Sequence, residues 1–326
     1  MAFANSSITD IIATTIQNRS KTIADNVTKN NALLARLNSR GNIRTVSGGS
    51  SILEELSFAE NGNAGFYSGY DLLPVSAQDV VSAAEFSLKQ IACPVVISGL
   101  EQLQNSGKEA LIDLMEARLN VAESTMVNKL AQSVYSDGTG SGGKELVGLN
   151  AAVVVTPTSG TYGGIDRATW TFWRNQSYRG VTDGGAAVSA TNIQSYMNAL
   201  WSRTIRGSDR PDLIVFDNTY WALYMASLQP LQRFTDPSSA NLGFPSIKFM
   251  DADVVLDGGI GGYCPSATGF FLNTKYFRLR PHKDRNMVPL SPNKRYAINQ
   301  DAEVQILAWA GALTCDGAQF QGRLSA

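Results

Sequence analysis

The chain has 326 residues and a formal net charge of −1, and 44% of its residues are hydrophobic while only 17% are charged. This composition excludes an intrinsically disordered chain, a collagen and a coiled-coil array, and the length suits one large domain or two modest ones. No run approaches the roughly 18 to 20 apolar residues of a membrane span, and the first ten residues lack signal-peptide character, so we expect a soluble protein made in a cytoplasm.

The first 45 residues are predicted to form a basic, amphipathic arm. Apolar residues recur at helical spacing between residues 8 and 38, which predicts one or two helices that end at Arg40-Gly41-Asn42. The apolar stripe comprises Ile12, Ile16, Ile23, Val27, Leu34 and Leu37. Two acidic residues oppose six basic ones, which gives a charge of +4; the bases are Arg19, Lys21, Lys29, Arg36, Arg40 and Arg44.

Residues 46–88 are predicted to form a long acidic hairpin. The segment has no lysine or arginine and six acidic residues: Glu54, Glu55, Glu60, Asp71, Asp79 and Glu85. Asn61-Gly62 and Ser68-Gly69 mark turns, and residues 51–58 and 71–81 have the composition of strands. Because such a hairpin cannot bury a core of its own, we expect it to lie on another surface.

Residues 108–135 give the clearest helical pattern. The apolar stripe comprises Leu111, Met115, Leu119, Ala122, Met126, Leu130 and Val134. At 1.5 Å per residue, this helix would be about 42 Å long and would span most of a domain.

A glycine-rich run at residues 138–145 matches the glycine and lysine spacing of a phosphate-binding P-loop. Its last position is Glu145, where a P-loop has the serine or threonine that binds magnesium, and a carboxylate there would repel phosphate. A P-loop also follows a strand, whereas here a predicted helix precedes the run and a strand-like run, residues 151–155, follows it. We interpret the segment as a flexible glycine linker.

The rest of the chain is predicted to form a mixed α+β domain, with strands and helices alternating at residues 151–156, 192–206, 212–216, 219–232 and 252–257. Residues 275–295 carry seven basic residues and one acidic residue. Phe277 and Leu279 alternate with Arg278 and Arg280, which predicts a strand with one apolar and one basic face.

The sequence has no convergent set of catalytic or metal-binding residues. His282 is the only histidine, which excludes HExxH zinc sites, and no GxSxG motif accompanies it, so we interpret it as part of a basic surface loop. Cys93, Cys264 and Cys315 form no CxxC pair and are expected to be buried thiols.

Two acid pairs, Glu54 with Glu55 and Asp251 with Asp253, are expected on solvated strand faces. We therefore predict no catalytic, cofactor-binding or metal-binding residues, no cofactor, and a protein that is not an enzyme.

A basic arm, an acidic hairpin and a basic strand in one nearly neutral chain instead suggest surfaces that meet copies of the same chain. Head-to-tail contacts of this kind close into rings or shells when the rotation permits.

The sequence also resembles, nearly end to end, the HK97-fold major capsid proteins of tailed bacteriophages and prophages. The resembling segments include FAENGNAGFYSGYDL, VVISGLEQLQNSGKE, LIDLMEARLNVAES, GGIDRATWTFWRN, DLIVFDNTYWALYMASLQPLQRF, KFMDADVVLDGG, RPHKDRNMVPL and QDAEVQILAWAGAL. The resemblance implies an α+β fold divided into an N-terminal arm (1–45), an E-loop (46–90), a P-domain with a long spine helix (91–147), an A-domain (148–265), a P-domain return sheet (266–300) and a C-terminal closing strand (301–326).

The function implied by this resemblance is structural. Hexamers and pentamers of the chain would form an icosahedral shell around phage double-stranded DNA, as a virion capsid assembled in the bacterial host cytoplasm. Portal and scaffolding or decoration proteins are the other expected partners, and no membrane is involved. Some relatives join subunits through an E-loop lysine, but residues 46–88 contain none, so we expect noncovalent contacts.

Our hypothesis for assembly is that the acidic hairpin of one subunit lies across basic residues of a neighbour. The candidate contacts are Glu54, Glu55, Glu60 and Asp71 on the hairpin, Arg278, Arg280, Lys283 and Arg285 on the neighbour, and Ile12, Ile16 and Ile23 on an arm that clasps a second neighbour. DNA contact would be nonspecific, through Arg19, Lys21, Lys29, Arg36 and Arg40. The alternatives are an encapsulin-like nanocompartment shell and, in a different class, a β-rich tail or adhesin binding module.

Overall fold

The computed structural model describes residues 31–99, 108–228, 246–258, 262–290, 295–296 and 301–326. The described part of the chain combines helices and strands. The helices are α1 (Ala32–Ser39), α2 (Lys108–Val134), α3 (Gly140–Gly143), α4 (Leu149–Ala152), α5 (Gly180–Gly184), α6 (Ile193–Thr204) and α7 (Asn218–Leu228). Three short 3-10 helices cover Thr171–Trp173, Thr274–Tyr276 and Ala318–Phe320.

The strands form four sheets. They are β1 (Ser51–Ser57), β2 (Val81–Ser87), β3 (Lys89–Ser98), β4 (Thr161–Tyr162), β5 (Ile165–Asp166), β6 (Gln176–Arg179), β7 (Leu213–Phe216), β8 (Ser246–Phe249), β9 (Ala252–Leu256), β10 (Thr268–Leu272), β11 (Phe277–Pro289), β12 (Arg295–Tyr296), β13 (Ala302–Cys315) and β14 (Gly322–Ser325). Strands β1 and β2 form a hairpin stem, and β4 and β5 form a second small hairpin. The predicted α+β class is confirmed.

The long helix α2 has the position and length that its periodicity predicts. Its 27 residues give a length of about 40 Å at 1.5 Å per residue. The described members of the predicted apolar stripe are all buried: Leu119, Ala122, Met126, Leu130 and Val134. This face packs into the main core, so the helix derives its stability from tertiary packing.

The four-stranded sheet carries that core. Its central strand β13 pairs antiparallel with β3 on one side and with β11 and β12 on the other. As predicted, Phe277 and Leu279 of β11 are buried, at 0% and 5% exposure. The chain that follows α1 runs parallel to β11, where the Arg44 amide donates to the Leu279 carbonyl at 2.9 Å and the Lys283 amide donates to the Val46 carbonyl at 2.8 Å. Residues 44–46 are thus bonded to the edge of the sheet.

A six-stranded mixed sheet organises the second core, in the order β6-β14-β10-β7-β9-β8. All four residues of β7 are buried, as befits a central strand covered on both faces. The predicted strands at 212–216 and 252–257 and the predicted helix at 192–206 correspond to β7, β9 and α6. Helix α7 begins within one residue of its predicted start, and residues 229–232 lie outside the described residues.

Several predicted elements differ from the structure. The second hairpin strand begins at Val81 rather than at residue 71, because residues 58–80 make no ladder and most of them face solvent. The strand predicted at 151–156 is absent, since the helical turn α4 and irregular chain occupy that part. His282 lies within strand β11 and not in a surface loop.

The thiols and the glycine-rich run also depart from expectation. Cys315 is buried as predicted, but Cys93 and Cys264 are only partly buried. The run at 138–145 is an ordered turn: the Ser136 hydroxyl donates to the Glu145 carboxylate at 2.8 Å, and the Lys89 ammonium donates to the Gly143 carbonyl at 2.6 Å. It is therefore not a flexible linker.

Truncation of Met126 tests the packing of α2. Met126 is 1% exposed, so Met126→Ala should lower the free energy of unfolding by about 2–5 kcal/mol through lost burial and a residual cavity. Val121→Ala on the same helix is the matched control, because Val121 is 66% exposed and should change stability by less than about 0.5 kcal/mol. Urea unfolding of the dissociated subunit measures both, and equal losses would contradict this packing.

Candidate assembly surface

The predicted contact residues fall into four groups in the structure, and the fourth, Arg36 and Arg40, is described below with its ion pairs. Glu54, Arg278 and Arg280 meet one another within the same chain. Five others are exposed: Glu55, Glu60, Asp71, Lys283 and Arg285. The arm residues Ile12, Ile16, Ile23, Arg19, Lys21 and Lys29 lie outside the described residues.

Glu54 fixes the hairpin stem to the four-stranded sheet. Its Oε1 lies 2.7 Å from Nη2 of Arg280, and its Oε2 lies 3.1 Å from Nη1 of Arg278. The Thr314 hydroxyl donates to Oε1 at 2.8 Å. Glu54 is only 5% exposed, so its interpretation as part of a solvated strand face is wrong. The carboxylate is buried because β1 alternates, placing Ile52, Glu54 and Leu56 together on the inward face.

A second carboxylate shares this site. Asp316 Oδ2 lies 2.6 Å from Nη1 of Arg278. Burial raises the pKa of the Asp316 carboxyl, its hydrogen bond with Arg278 opposes that rise, and the Glu54 charge adds to it. Burial alone would lower the pKa of Arg278, but the hydrogen bond and charge of Asp316, together with the charge of Glu54, raise it. Two acids and two guanidinium groups therefore balance in a partly desolvated cluster.

The far end of the stem rests on aromatic rings. The Phe58 ring lies 5.3 Å from the Trp170 ring, edge to face, and 6.1 Å from the Phe172 ring, measured between centroids. Such ring pairs add about 0.5–1.5 kcal/mol beyond the area they bury. The Glu85 amide also donates to the Gly163 carbonyl at 2.9 Å. Glycine is required at position 163, because φ is +57° and a Cβ there would lie 3.0 Å from Cζ of Phe86.

Beyond Phe58 the hairpin leaves the body of the protein. Residues 58–80 are held mainly by local bonds, such as the one that the Asn63 side-chain amide donates to the Ser76 carbonyl at 2.6 Å. Apolar side chains on this hairpin tip stand in solvent: Phe66, Tyr67, Tyr70, Leu72, Leu73 and Val75. The prediction of contact residues, guided by charge, missed these side chains. The dense aromatic and apolar composition of residues 66–75 is the signal that would have found them.

Two of the bases expected to meet DNA are ion-paired within the chain. Arg36 contacts Asp212 at 3.0 Å and Asp253 at 3.2 Å, and Arg40 contacts Asp212 at 3.2 Å. Asp212 also accepts from the backbone amide of Thr274 at 2.7 Å. These bonds attach α1 to the six-stranded sheet. Asp253 is therefore not on a freely solvated face, whereas Asp251 is, with 59% of its side chain exposed in a pair with Arg210.

The structure also shows how the glycine-rich run departs from a phosphate site. A Cβ on Gly140 would lie 2.4 Å from the carboxylate of Glu145, so that carboxylate sits against the loop where a phosphate would have to bind.

Within the described residues, no helix is long and apolar enough to cross a membrane. No group of three or more His, Cys, Asp or Glu side chains in that part of the chain is placed to hold a metal ion.

Comparison with solved structures identifies the fold. The chain is similar to the subunit of the cyanophage A-1(L) capsid, with a TM-score of 0.64 and 15% identity over 88% of this chain and 92% of that one. It has the fold of a phage capsid subunit. It is also similar to the capsid of the native GTA particle, with a TM-score of 0.56 and 12% identity over 88% of each chain. A third similar structure is the capsid of Myoviridae phage XM1, with a TM-score of 0.51 and 13% identity over 89% of this chain and 91% of that one.

These matches confirm the HK97-like capsid fold that the sequence resemblance implies. No protein-family model matches the chain, and no curated protein matches it in sequence. At these identities the likeness lies in the fold. The candidate site on that fold is the hairpin, with a stem anchored by Glu54 and an apolar tip in solvent.

Removal of the Glu54 carboxylate tests the anchor. Glu54→Ala leaves Arg280 without this carboxylate in a partly buried site and should cost about 3 kcal/mol of unfolding free energy. Glu55→Ala, one residue along the same strand but exposed, should change stability by less than about 0.5 kcal/mol. Denaturant unfolding of dissociated subunits compares the two, and a neutral Glu54→Ala would rule out the anchoring role.

Proposed function

We propose that this chain is a major capsid protein that self-assembles as hexamers and pentamers into an icosahedral shell around phage double-stranded DNA. The observation that carries the proposal is the match to the cyanophage capsid subunit across 88% of this chain and 92% of that one. A match that covers both chains almost fully is expected when the whole subunit, and not one borrowed domain, serves the same purpose. The nanocompartment and tail-adhesin alternatives are not favoured, because the similar structures are those of phage capsids and a GTA capsid.

The exposed hairpin supports self-assembly. A segment that carries six large apolar side chains in solvent gains stability when another surface covers them.

The proposed domains are the arm (1–45), the E-loop (46–90), the P-domain (91–147 and 266–300), the A-domain (148–265) and the closing strand (301–326). The sheet topology suggests one refinement of these boundaries. Strands β10 and β14 pair within the six-stranded sheet of the A-domain segment, so both strands would belong to the A-domain.

The remaining partners and the location belong to the same proposal. The shell would be the virion capsid, built in the bacterial host cytoplasm with portal and scaffolding or decoration proteins. DNA would be contacted nonspecifically by basic residues of the arm. The chain would act as a structural protein and not as an enzyme, as its similarity to capsid subunits suggests.

Electron microscopy of the purified full-length chain tests the proposal directly. We expect closed shells with rings of five and six subunits at micromolar concentration, because each subunit presents both a protruding hairpin and the surfaces that receive it. Sedimentation velocity should show a particle of very high mass. A single monomeric species at high concentration would overturn the capsid proposal.

A variant without the tip separates assembly from folding. Replacing residues 59–79 by Asn-Gly should close the stem, because the Phe58 amide already donates to the Val80 carbonyl at 3.0 Å and Asn-Gly favours a tight hairpin turn. We expect the thermal midpoint of the subunit to stay within a few degrees of wild type, while shells fall below detection. Normal shells from this variant would show that the tip is not needed for assembly.

A further inference from the structure

Strand β11 is interrupted by a bulge that presents basic side chains to solvent. Its ladder with β13 shifts register between Pro281 and Asn286, so residues 282–285 have no partner on β13. Three of these four residues are exposed: Lys283, Asp284 and Arg285. Bulges occur often where a strand re-aims a side chain, and they are structural features in their own right.

The backbone holds this bulge in a strained conformation. Met287, just beyond it, has φ +55°, in the left-handed region that residues other than glycine rarely adopt. The Met287 side chain is 1% exposed, so its packing in the core fixes that conformation. On the other side, the Lys283 amide donates to the Val46 carbonyl at 2.8 Å. Strain that the surroundings enforce in this way is concentrated at functional sites.

Two lysines from other elements lie beside the bulge. The Arg285 guanidinium donates to the Gln90 side chain at 2.7 Å, which places it next to Lys89. The Lys89 ammonium donates to the Gly143 carbonyl at 2.6 Å, and Lys144 follows Gly143 directly. Three elements thus bring four bases to one place, which we call the basic corner: Lys89, Lys144, Lys283 and Arg285.

The described part of the chain does not neutralise the basic corner. None of its four bases forms an ion pair there, whereas two exposed bases elsewhere do: Arg210 with Asp251 at 2.8 Å and Lys275 with Asp209 at 2.9 Å. The acids next to the corner in sequence are Asp284 and Glu145, so four bases and two acids give a formal charge of +2. The Glu145 carboxylate already accepts from the Ser136 hydroxyl at 2.8 Å.

The chemistry of the basic corner fits a polyanion better than a protein surface. Three of its four bases are lysines, which are depleted in protein–protein interfaces, while protein–DNA interfaces are strongly positive. Lys283 on β11 and Lys89 on β3 are two strand spacings apart across β13, or about 10 Å. That distance is close to the width of a DNA major groove, about 12 Å, so one duplex can contact both.

We propose that the basic corner binds the phosphates of double-stranded DNA without reading its sequence. This inference rests on the proposed capsid function, which supplies the DNA, and it names a contact surface outside the arm. Such a surface is needed because Arg36 and Arg40 of the arm are ion-paired with Asp212. Each phosphate that a base neutralises releases counterions, so the binding should weaken steeply with salt.

Two double variants with the same change in charge test this site. Binding of dissociated full-length subunits to a short duplex is followed by fluorescence anisotropy over a series of salt concentrations. Lys283→Gln with Arg285→Gln should lower the slope of log affinity against log salt by about 2, because two phosphate contacts are lost. Arg210→Gln with Lys275→Gln is the matched control and should leave the slope unchanged, since these bases are ion-paired.

The conservative variant Lys283→Arg with Arg285→Lys should keep the wild-type slope, and thermal midpoints within a few degrees of wild type would show that all variants fold. Equal slopes in the two glutamine variants, with shells formed by wild-type protein, would overturn the DNA site and leave the capsid function standing. Loss of DNA-free shells in the bulge variant, with its slope unchanged, would assign the corner to contact between copies and overturn the site. If wild-type protein forms no shells, the capsid function fails and the inference fails with it.

Discussion

The position of the hairpin depends on one buried carboxylate. Within the described residues, β1 and β2 pair only with each other, and β2 continues through Leu88 alone into β3 of the four-stranded sheet. The ion pairs of Glu54 with Arg278 and Arg280 hold β1 against that sheet, and Thr314 completes the site. Apolar packing of Ile52 against the core is less directional than these bonds. The anchor acts together with the ring contacts of Phe58 and the Glu85–Gly163 hydrogen bond to set where the tip is presented.

The elements whose apolar residues recur at one regular spacing could be predicted from the sequence. Helix α2 repeats its apolar residues every three or four positions, and β11 alternates apolar with basic residues, so each pattern identifies its own element. Helix α1 also ends where the sequence indicates, because Gly41 adopts a left-handed conformation with φ +68° directly after its last turn.

The parts that depend on distant partners were predicted poorly. Residues 71–80 have the apolar composition of a strand, but no strand in the described part of the chain lies opposite them, and residues 71–79 face solvent. Our hypothesis placed Arg278 and Arg280 on a neighbouring subunit, whereas both pair with Glu54 of their own chain, because sequence cannot tell a partner in the same chain from one in a second copy. Glu54 is in phase with Ile52 and Leu56 along β1, so the alternation of the strand alone places it on the apolar face. The apolar groove between β3 and α2 could not be predicted from the sequence. Val96 and Val121, which line it, belong to two elements that meet only in the folded chain.

The parallel pairing of residues 42–46 with β11 has a mechanical consequence. Tension applied along the chain from the side of residue 31 meets the Arg36 and Arg40 ion pairs with Asp212 and then backbone hydrogen bonds. In these bonds the Arg44 amide donates to Leu279, the Val46 amide donates to Pro281, and the Val46 carbonyl accepts from the Lys283 amide. A pull along a strand direction loads its interstrand bonds together in shear, whereas a perpendicular pull would open them one at a time. The segment between α1 and the hairpin is thus held by hydrogen bonds that resist a pull along the chain together. A displacement of α1 would therefore be passed on to the base of the hairpin.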